Sequence, residues 1–280
     1  MKNKKRKIFV SIVVLFIASY GYSLFIKDLF PRLSRYTYNR HHLIISPDSG
    51  HSITGNPDIE QILKTAIFEL PNEHNNPKVI ALTFDDGPFP MYTPLLLNAL
   101  KHKKVKATFF INGIHARRFP QLTLDIHNGG HEIGNHTFYH RDITGLSDKE
   151  IERELDMTDD AVYKIAGIHT FLFRPPGGNL HEASKKIVLK KGYTIVTYSI
   201  NPGDWWQRDQ EKLYSHIFSN SHSGGIILLH SGLIHTVRLM PTLIQEYRKK
   251  GYKFVTISEL ARMRGIEPEI RNFTSKEMRK

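Results

Sequence analysis

The sequence contains no cysteine. That excludes disulfides, thiolate metal sites and a cysteine nucleophile. Tryptophan is scarce: two residues, Trp205 and Trp206, stand side by side. There is no glycine-rich phosphate loop, no nucleic-acid-binding motif, no low-complexity tract and no internal repeat, so nucleic acid is not an expected partner. Acids are outnumbered, with 27 Asp and Glu against 39 Lys and Arg, for a formal net charge of +12. Such an excess suits an anionic surface, whether phospholipid or an anionic wall polymer. The remaining composition, 40% hydrophobic and 24% charged over 280 residues, is that of one large globular domain or two small ones.

Part of the positive charge is local. Lys2, Lys4, Lys5, Arg6 and Lys7 precede an apolar run from Ile8 to Ile26. A basic cluster followed by 19 mostly apolar residues predicts a membrane anchor or signal segment over residues 1–26. The positive-inside rule then puts the rest of the chain outside the cytoplasm. A retained anchor is the expectation; cleavage near Ser19-Tyr20-Gly21, which would give a secreted protein, is the alternative. Residues 27–75 read as a linker or stalk, basic and aromatic at first, then rich in Gly, Pro, Ser and Asp. Residues 265–280 read as a polar C-terminal tail.

From residue 78 the chain becomes rhythmic. Seven strand candidates, Val79–Phe84, Ala107–Ile111, His131–Gly134, Thr170–Phe173, Tyr193–Ser199, Gly225–Leu229 and Tyr252–Ile257, alternate with segments of helical spacing. That alternation predicts βα units and a parallel sheet. Continuous apolar runs such as Gly225-Ile226-Ile227-Leu228-Leu229 fit strands buried on both faces. Periodicity leaves open whether the sheet closes into a barrel or stays doubly wound.

The unusual polar residues fall at the C-terminal ends of these strands: Asp85, Asp86, His136, His140, Arg174, Asp204 and His230. In parallel α/β architectures that edge carries the active site. His136 and His140, four apart, would share a face if their segment were helical. Two histidines and one carboxylate make a catalytic zinc set with an open position for water, and the same donors accept other divalent metals. One of Asp85 and Asp86 would then be a ligand and the other free to act as a base. Read against an ordinary turn, which Asp-Asp-Gly-Pro also favours, this gives the paired acids separate tasks. His230 is of the right type for a general acid, with a satisfied core histidine as the bland alternative. Arg174, before Pro175-Pro176, is suited to a bidentate hold on a carboxylate or to a surface ion pair. Trp205 offers a wall for a sugar ring, although either tryptophan is also a candidate for the core.

With these residues in view, the chain resembles the polysaccharide deacetylase family, the NodB-homology or carbohydrate esterase family 4 domain, over roughly residues 76–264. Five motifs occur in order: Thr83-Phe84-Asp85-Asp86-Gly87, His136-Thr137-Phe138-Tyr139-His140, Arg174-Pro175-Pro176-Gly177-Gly178, Asp204-Trp205 and Leu228-Leu229-His230. The resemblance implies a distorted (β/α) barrel of about seven parallel strands. It also implies a division of roles: Asp85 as base, Asp86, His136 and His140 as ligands to a divalent metal, and Arg174 orienting the base. His230 is implied as acid, the Gly177 N–H as a donor to the oxyanion, and Leu228 as lining for the acetyl methyl group. Zinc is the expected metal, with cobalt, manganese or nickel as alternatives. Asp204 is implied to support Arg174 or tune His230.

The third motif usually carries an aromatic residue where Gly177 stands, and the fourth is usually richer in acids. The implied reaction is removal of N-acetyl groups from an extracellular amino-sugar polymer of the peptidoglycan or chitin type. An O-acetyl esterase with the same machinery and a glycan-binding protein without catalysis are the competing readings.

Overall fold

The computed structural model describes residues 77–264. The expected anchor, the stalk and the C-terminal tail lie outside the described residues. Among the described residues, no helix is long and apolar enough to cross a membrane.

Seven strands form one parallel sheet: β1 (Val79–Asp85), β2 (Thr108–Ile111), β3 (Glu132–Asn135), β4 (Leu172–Phe173), β5 (Thr194–Ile195), β6 (Gly225–His230) and β7 (Lys253–Val255). Their order is β5-β4-β3-β2-β1-β6. β6 runs along β1 from Ile80 to Asp85, while β7 pairs with Val79–Ala81 and β2 with Thr83–Asp85. Beyond β5, Ile200 bridges Ile227, so the sheet curls back on itself. This is the distorted barrel the motifs imply, with each strand where the apolar runs place it.

Among the described residues the α-helices are α1 (Thr93–His102), α2 (Gly113–Arg118), α3 (Pro120–Asn128), α4 (Asp148–Ala166), α5 (Glu182–Lys190), α6 (Gln210–Ser219), α7 (Ile234–Lys249) and α8 (Ile257–Met263). Two of them, α2 and α8, have no counterpart in the periodicity, being six and seven residues long. Such short helices are set by tertiary contacts rather than by their own pattern. α4 carries clear end signals: Glu150 Oε2 accepts the Ser147 N–H at 3.0 Å, and Gly167 ends the helix at φ 69°.

The alternating faces of the strands define two apolar regions. Ile80, Leu82 and Phe84 of β1, with Ile227 and Leu229 of β6, pack outward against α1 and α7. Val79 and Ala81, with Phe110, Leu172, Val196 and Ile226, fill the barrel, and α8 closes its base with Ile257, Leu260 and Ala261. Thr83 and Asp85 continue the inward face of β1 toward its C-terminal end. The inner face therefore changes from apolar to polar along one strand, which puts the chemistry at the open end of the barrel.

Candidate active site

Arg174 occupies the centre of that polar layer. It is 1% exposed and heads the largest fully buried side chains. Its Nη1 donates to Asp85 Oδ1 at 2.8 Å and to Thr83 Oγ1 at 2.7 Å. Nε and Nη2 donate to the carbonyls of Val196 and Thr197 at 3.4 and 3.1 Å. These contacts also explain why β5 is shorter than Tyr193–Ser199: after Ile195 the backbone turns its carbonyls to Arg174 instead of to a ladder. The guanidinium lies 4.2 Å from the Phe110 ring centroid, a cation–π contact that joins the polar layer to the apolar core beneath. Arg174 is thus a buried partner of Asp85, not a surface ion pair.

Asp85 and Asp86 are consecutive, and on a regular strand their side chains would point to opposite faces. Asp86 breaks the strand at φ 75°. Both carboxylates then reach the same imidazole: His136 Nε2 is 3.7 Å from Asp85 Oδ2 and 3.5 Å from Asp86 Oδ1. His140 Nε2 is 3.2 Å from the same Asp86 oxygen. The segment from His136 to His140 is a bend with Thr137 at φ 63° and His140 at φ 57°, so this pair is gathered by left-handed backbone rather than by a helical face. His136 is buried and donates its Nδ1–H to the Arg174 carbonyl at 2.7 Å, which leaves Nε2 facing Asp86.

The donor set fits a divalent cation. Asp86 Oδ1 is buried and receives no hydrogen bond. Ligand atoms about 2.1 Å from a common tetrahedral centre lie about 3.4 Å apart, and the Asp86 oxygen stands 3.2 and 3.5 Å from the two imidazole nitrogens. All three ligand atoms lie within 4.8 Å of one another. Burial pushes the Asp86 carboxyl up, but the imidazoles of His136 and His140 outweigh it and hold it well below the usual carboxylate range. The His140 side chain is 47% exposed; partial loss of solvent around the ring favours its neutral form, yet Asp86 and Asp85 lift its pKa above the ordinary value.

His230 ends β6, in register with Asp85. Its Nδ1 donates to Asp204 Oδ1 at 2.7 Å, and its Nε2 stands 4.0 Å from Asp86 Oδ2. Burial would lower its pKa; the hydrogen bond and charge of Asp204, with the charges of Asp86 and Asp85, raise it to about 9. Asp204 is fully buried, and its Oδ2 accepts the His230 N–H at 2.8 Å and the Thr236 hydroxyl at 2.7 Å. Between the two roles left open in the sequence, Asp204 contacts His230 rather than Arg174.

Trp205 is 48% exposed and meets the His230 ring edge-on at 5.6 Å between centroids; Trp206 is exposed as well, so neither tryptophan enters the core. Leu228 is buried on β6, two residues before His230 and thus on the same face. Gly177 lies in the short turn after Arg174 with φ 65°, a conformation glycine adopts without strain.

The structure brings further residues to this site. Thr83 links Arg174 to β6 by donating its hydroxyl to the Ile227 carbonyl at 2.7 Å. His115 of α2 donates its Nδ1–H to the Asp86 carbonyl at 2.7 Å, and His235 holds the Asp204 carbonyl. Glu154 of α4 supports the histidine bend. Thr83 lies inside the first motif; the others are distant in sequence and carry no local signal except Glu154, an acid on the buried stripe of its helix.

Comparison with known proteins agrees with this geometry. Residues 72–196 match the family described as polysaccharide deacetylase. A peptidoglycan-N-acetylglucosamine deacetylase of Bacillus cereus is 40% identical over 200 residues, covering 70% of this chain and 92% of the relative. The peptidoglycan-N-acetylmuramic acid deacetylase PdaA of Bacillus subtilis is 36% identical, covering 76% of this chain and 80% of that one. The crystal structure of the Bc1960 peptidoglycan N-acetylglucosamine deacetylase superposes with a TM-score of 0.68 at 32% identity, covering 72% of this chain and 95% of that one. A buried arginine–aspartate pair, two histidines and an aspartate around a common centre, and relatives matched over most of their length place this chain in the polysaccharide deacetylase family.

Proposed function

We propose that this protein is a metal-dependent N-deacetylase of peptidoglycan, acting on its N-acetylglucosamine or N-acetylmuramic acid units. The observation that carries the reading is the separation of tasks within the Asp85–Asp86 pair: Arg174 holds Asp85, while Asp86 faces His136 and His140. Asp86, His136 and His140 would hold the cation, which when bound acidifies water and polarises the acetyl carbonyl.

The rest is work for side chains. Asp85, fixed by Arg174, accepts a proton from the attacking water. The water oxygen bonds to the acetyl carbon while the C=O electron pair moves onto the carbonyl oxygen; that oxyanion then re-forms the carbonyl as the amide C–N bond breaks, and His230 gives its proton to the departing nitrogen. Acetate and a free amine result. The Gly177 N–H is the assigned donor to the developing oxyanion, Leu228 the wall for the acetyl methyl, and Trp205 the face for the sugar.

Zinc is the assigned metal. The chain is assigned to the extracytoplasmic side, held by the apolar segment at residues 8–26, where a basic protein meets an anionic wall. Acetate release from peptidoglycan, chitin oligosaccharides and O-acetylated xylan tests this with full-length protein in detergent. The expected result is release from peptidoglycan that stops with EDTA, returns with Zn²⁺ and is lost in D85N. Release from xylan alone would favour the O-acetyl esterase, and no release from any of them a binding role.

A further inference from the structure

The bend that carries His136 and His140 has no regular secondary structure, so its backbone polar groups need other partners. They have them. The His136 N–H goes to the Ile111 carbonyl, and the His136 carbonyl receives Asn112 Nδ2. The Thr137 N–H goes to Asn135 Oδ1. The carbonyls of Thr137 and Phe138 receive the N–H groups of Gly113 and Ile114, at the start of α2. Gly113 permits that approach, since a Cβ there would stand 2.3 Å from the Phe138 ring. The N–H groups of Phe138 and Tyr139 both end on one atom, Oε2 of Glu154, at 2.8 Å each.

Glu154 is 4% exposed and lies on the buried side of α4, with Ile151, Leu155 and Thr158. A charge in that position is costly unless it is well bonded. Its two N–H donors are consecutive and lie between the two histidines. Arg141, just past His140, stands 3.9 Å from the other Glu154 oxygen. His136 is buried and held through its own Nδ1, whereas the His140 side chain is 47% exposed and directly follows the Phe138–Tyr139 backbone.

We propose that Glu154 is a positioning residue for the candidate metal centre: its carboxylate fixes the Phe138–Tyr139 backbone and thereby holds His140 Nε2 against Asp86. This rests on the reading of Asp86, His136 and His140 as ligands. Groups that orient ligands from behind change metal affinity by about 10–100-fold when removed. A carboxylate that only stabilised the loop would change folding and leave the affinity of the folded protein alone.

Zn²⁺ affinity, measured by competition with a chelating dye on full-length protein in detergent, separates the two. E154A is expected to weaken binding by about 10–100-fold. E154Q, which keeps an acceptor oxygen in place, is expected to stay within about 3-fold of wild type. E154D, which keeps the charge but shortens its reach, is expected to fall between and serves if E154A does not fold. V162A, a cavity in the same helix away from the bend, is expected to lower the melting temperature and leave affinity unchanged. Wild-type affinity in folded E154A or E154D, or an equal loss in V162A, overturns the proposal. If wild type does not bind Zn²⁺, or D86A binds it equally well, the ligand assignment itself falls and this inference with it.

Discussion

One carboxylate, that of Asp204, holds His230 twice: Oδ1 takes the ring Nδ1–H at 2.7 Å and Oδ2 takes the backbone N–H at 2.8 Å. The ring cannot tilt without losing the first contact, and its Nε2 is left facing the site. The same carboxylate is the chief reason His230 titrates near 9 despite burial.

D204N should remove the charge behind the ring while keeping one of the two accepting atoms, since an amide accepts only at its oxygen. In metal-free protein, His230 is expected to titrate near 9 in wild type and closer to the ordinary 6.5 in D204N, read by NMR of the ring. The wild-type pKa lies above the unfolded value. Its contribution to stability is therefore complete below about pH 6.5 and is lost as pH rises toward 9. D204N should remove that slope. Its kcat should drop on the order of 100-fold near pH 8, the scale of a general acid's contribution. An unchanged titration would exclude Asp204 as the cause.

Arg174 and Asp85 form a buried ion pair, and breaking one leaves the other charged and unpartnered. R174M should cost about 3–5 kcal/mol in denaturant unfolding at pH 7. D85N, which keeps an acceptor for Nη1, should cost less than R174M while removing activity. Equal stability in R174M and wild type would contradict the burial described above.

Thr83 connects Arg174 to the Ile227 carbonyl on β6. T83V preserves shape and deletes both hydrogen bonds. Because Thr83 has no assigned contact with substrate, kcat is expected to fall about 10-fold with KM unchanged, the pattern of a lost transition-state interaction. A change confined to KM would indicate that Thr83 acts on binding.

His131, at the entrance of β3, is buried, and its Nδ1 accepts the Ala107 N–H at 3.2 Å. Burial, with a contribution from Lys106, lowers its pKa to about 4. The neutral ring belongs to the fold, so stability is fully present above about pH 6.5 and declines as pH falls toward 4. The shift corresponds to about 3 kcal/mol. H131N should flatten the pH dependence of unfolding over that interval; an identical slope in the variant would assign it to other groups.

Much of this architecture was legible in the residues because the relevant signals are local. A run such as Gly225–Leu229 is continuous, bounded and β-branched, and it became β6. Aspartates and histidines at the ends of such runs fall on one edge by topology alone. What the sequence hid was produced by backbone turning back on itself. His136 and His140 meet through two left-handed residues, which no helical spacing describes. β5 ends early because a distant arginine takes its carbonyls. The supports of the site, His115, Glu154, His235 and Thr236, come from helices far along the chain. Of these, Glu154 was readable in principle: it interrupts the apolar stripe Ile151, Leu155, Val162, and an acid on such a stripe must have a buried partner.

The position of Arg174 also bears on how this fold can diverge. Its guanidinium is at once the partner of Asp85 and the roof of the apolar interior, resting on Phe110. A lineage that abandons the reaction is free to lose exposed His140 at little structural cost. It is not free to lose Arg174 or Asp85 singly, because either loss strands a buried charge. Decay of activity should therefore begin at the exposed histidine and reach the arginine–aspartate pair last, leaving inactive descendants that still carry a catalytic-looking centre.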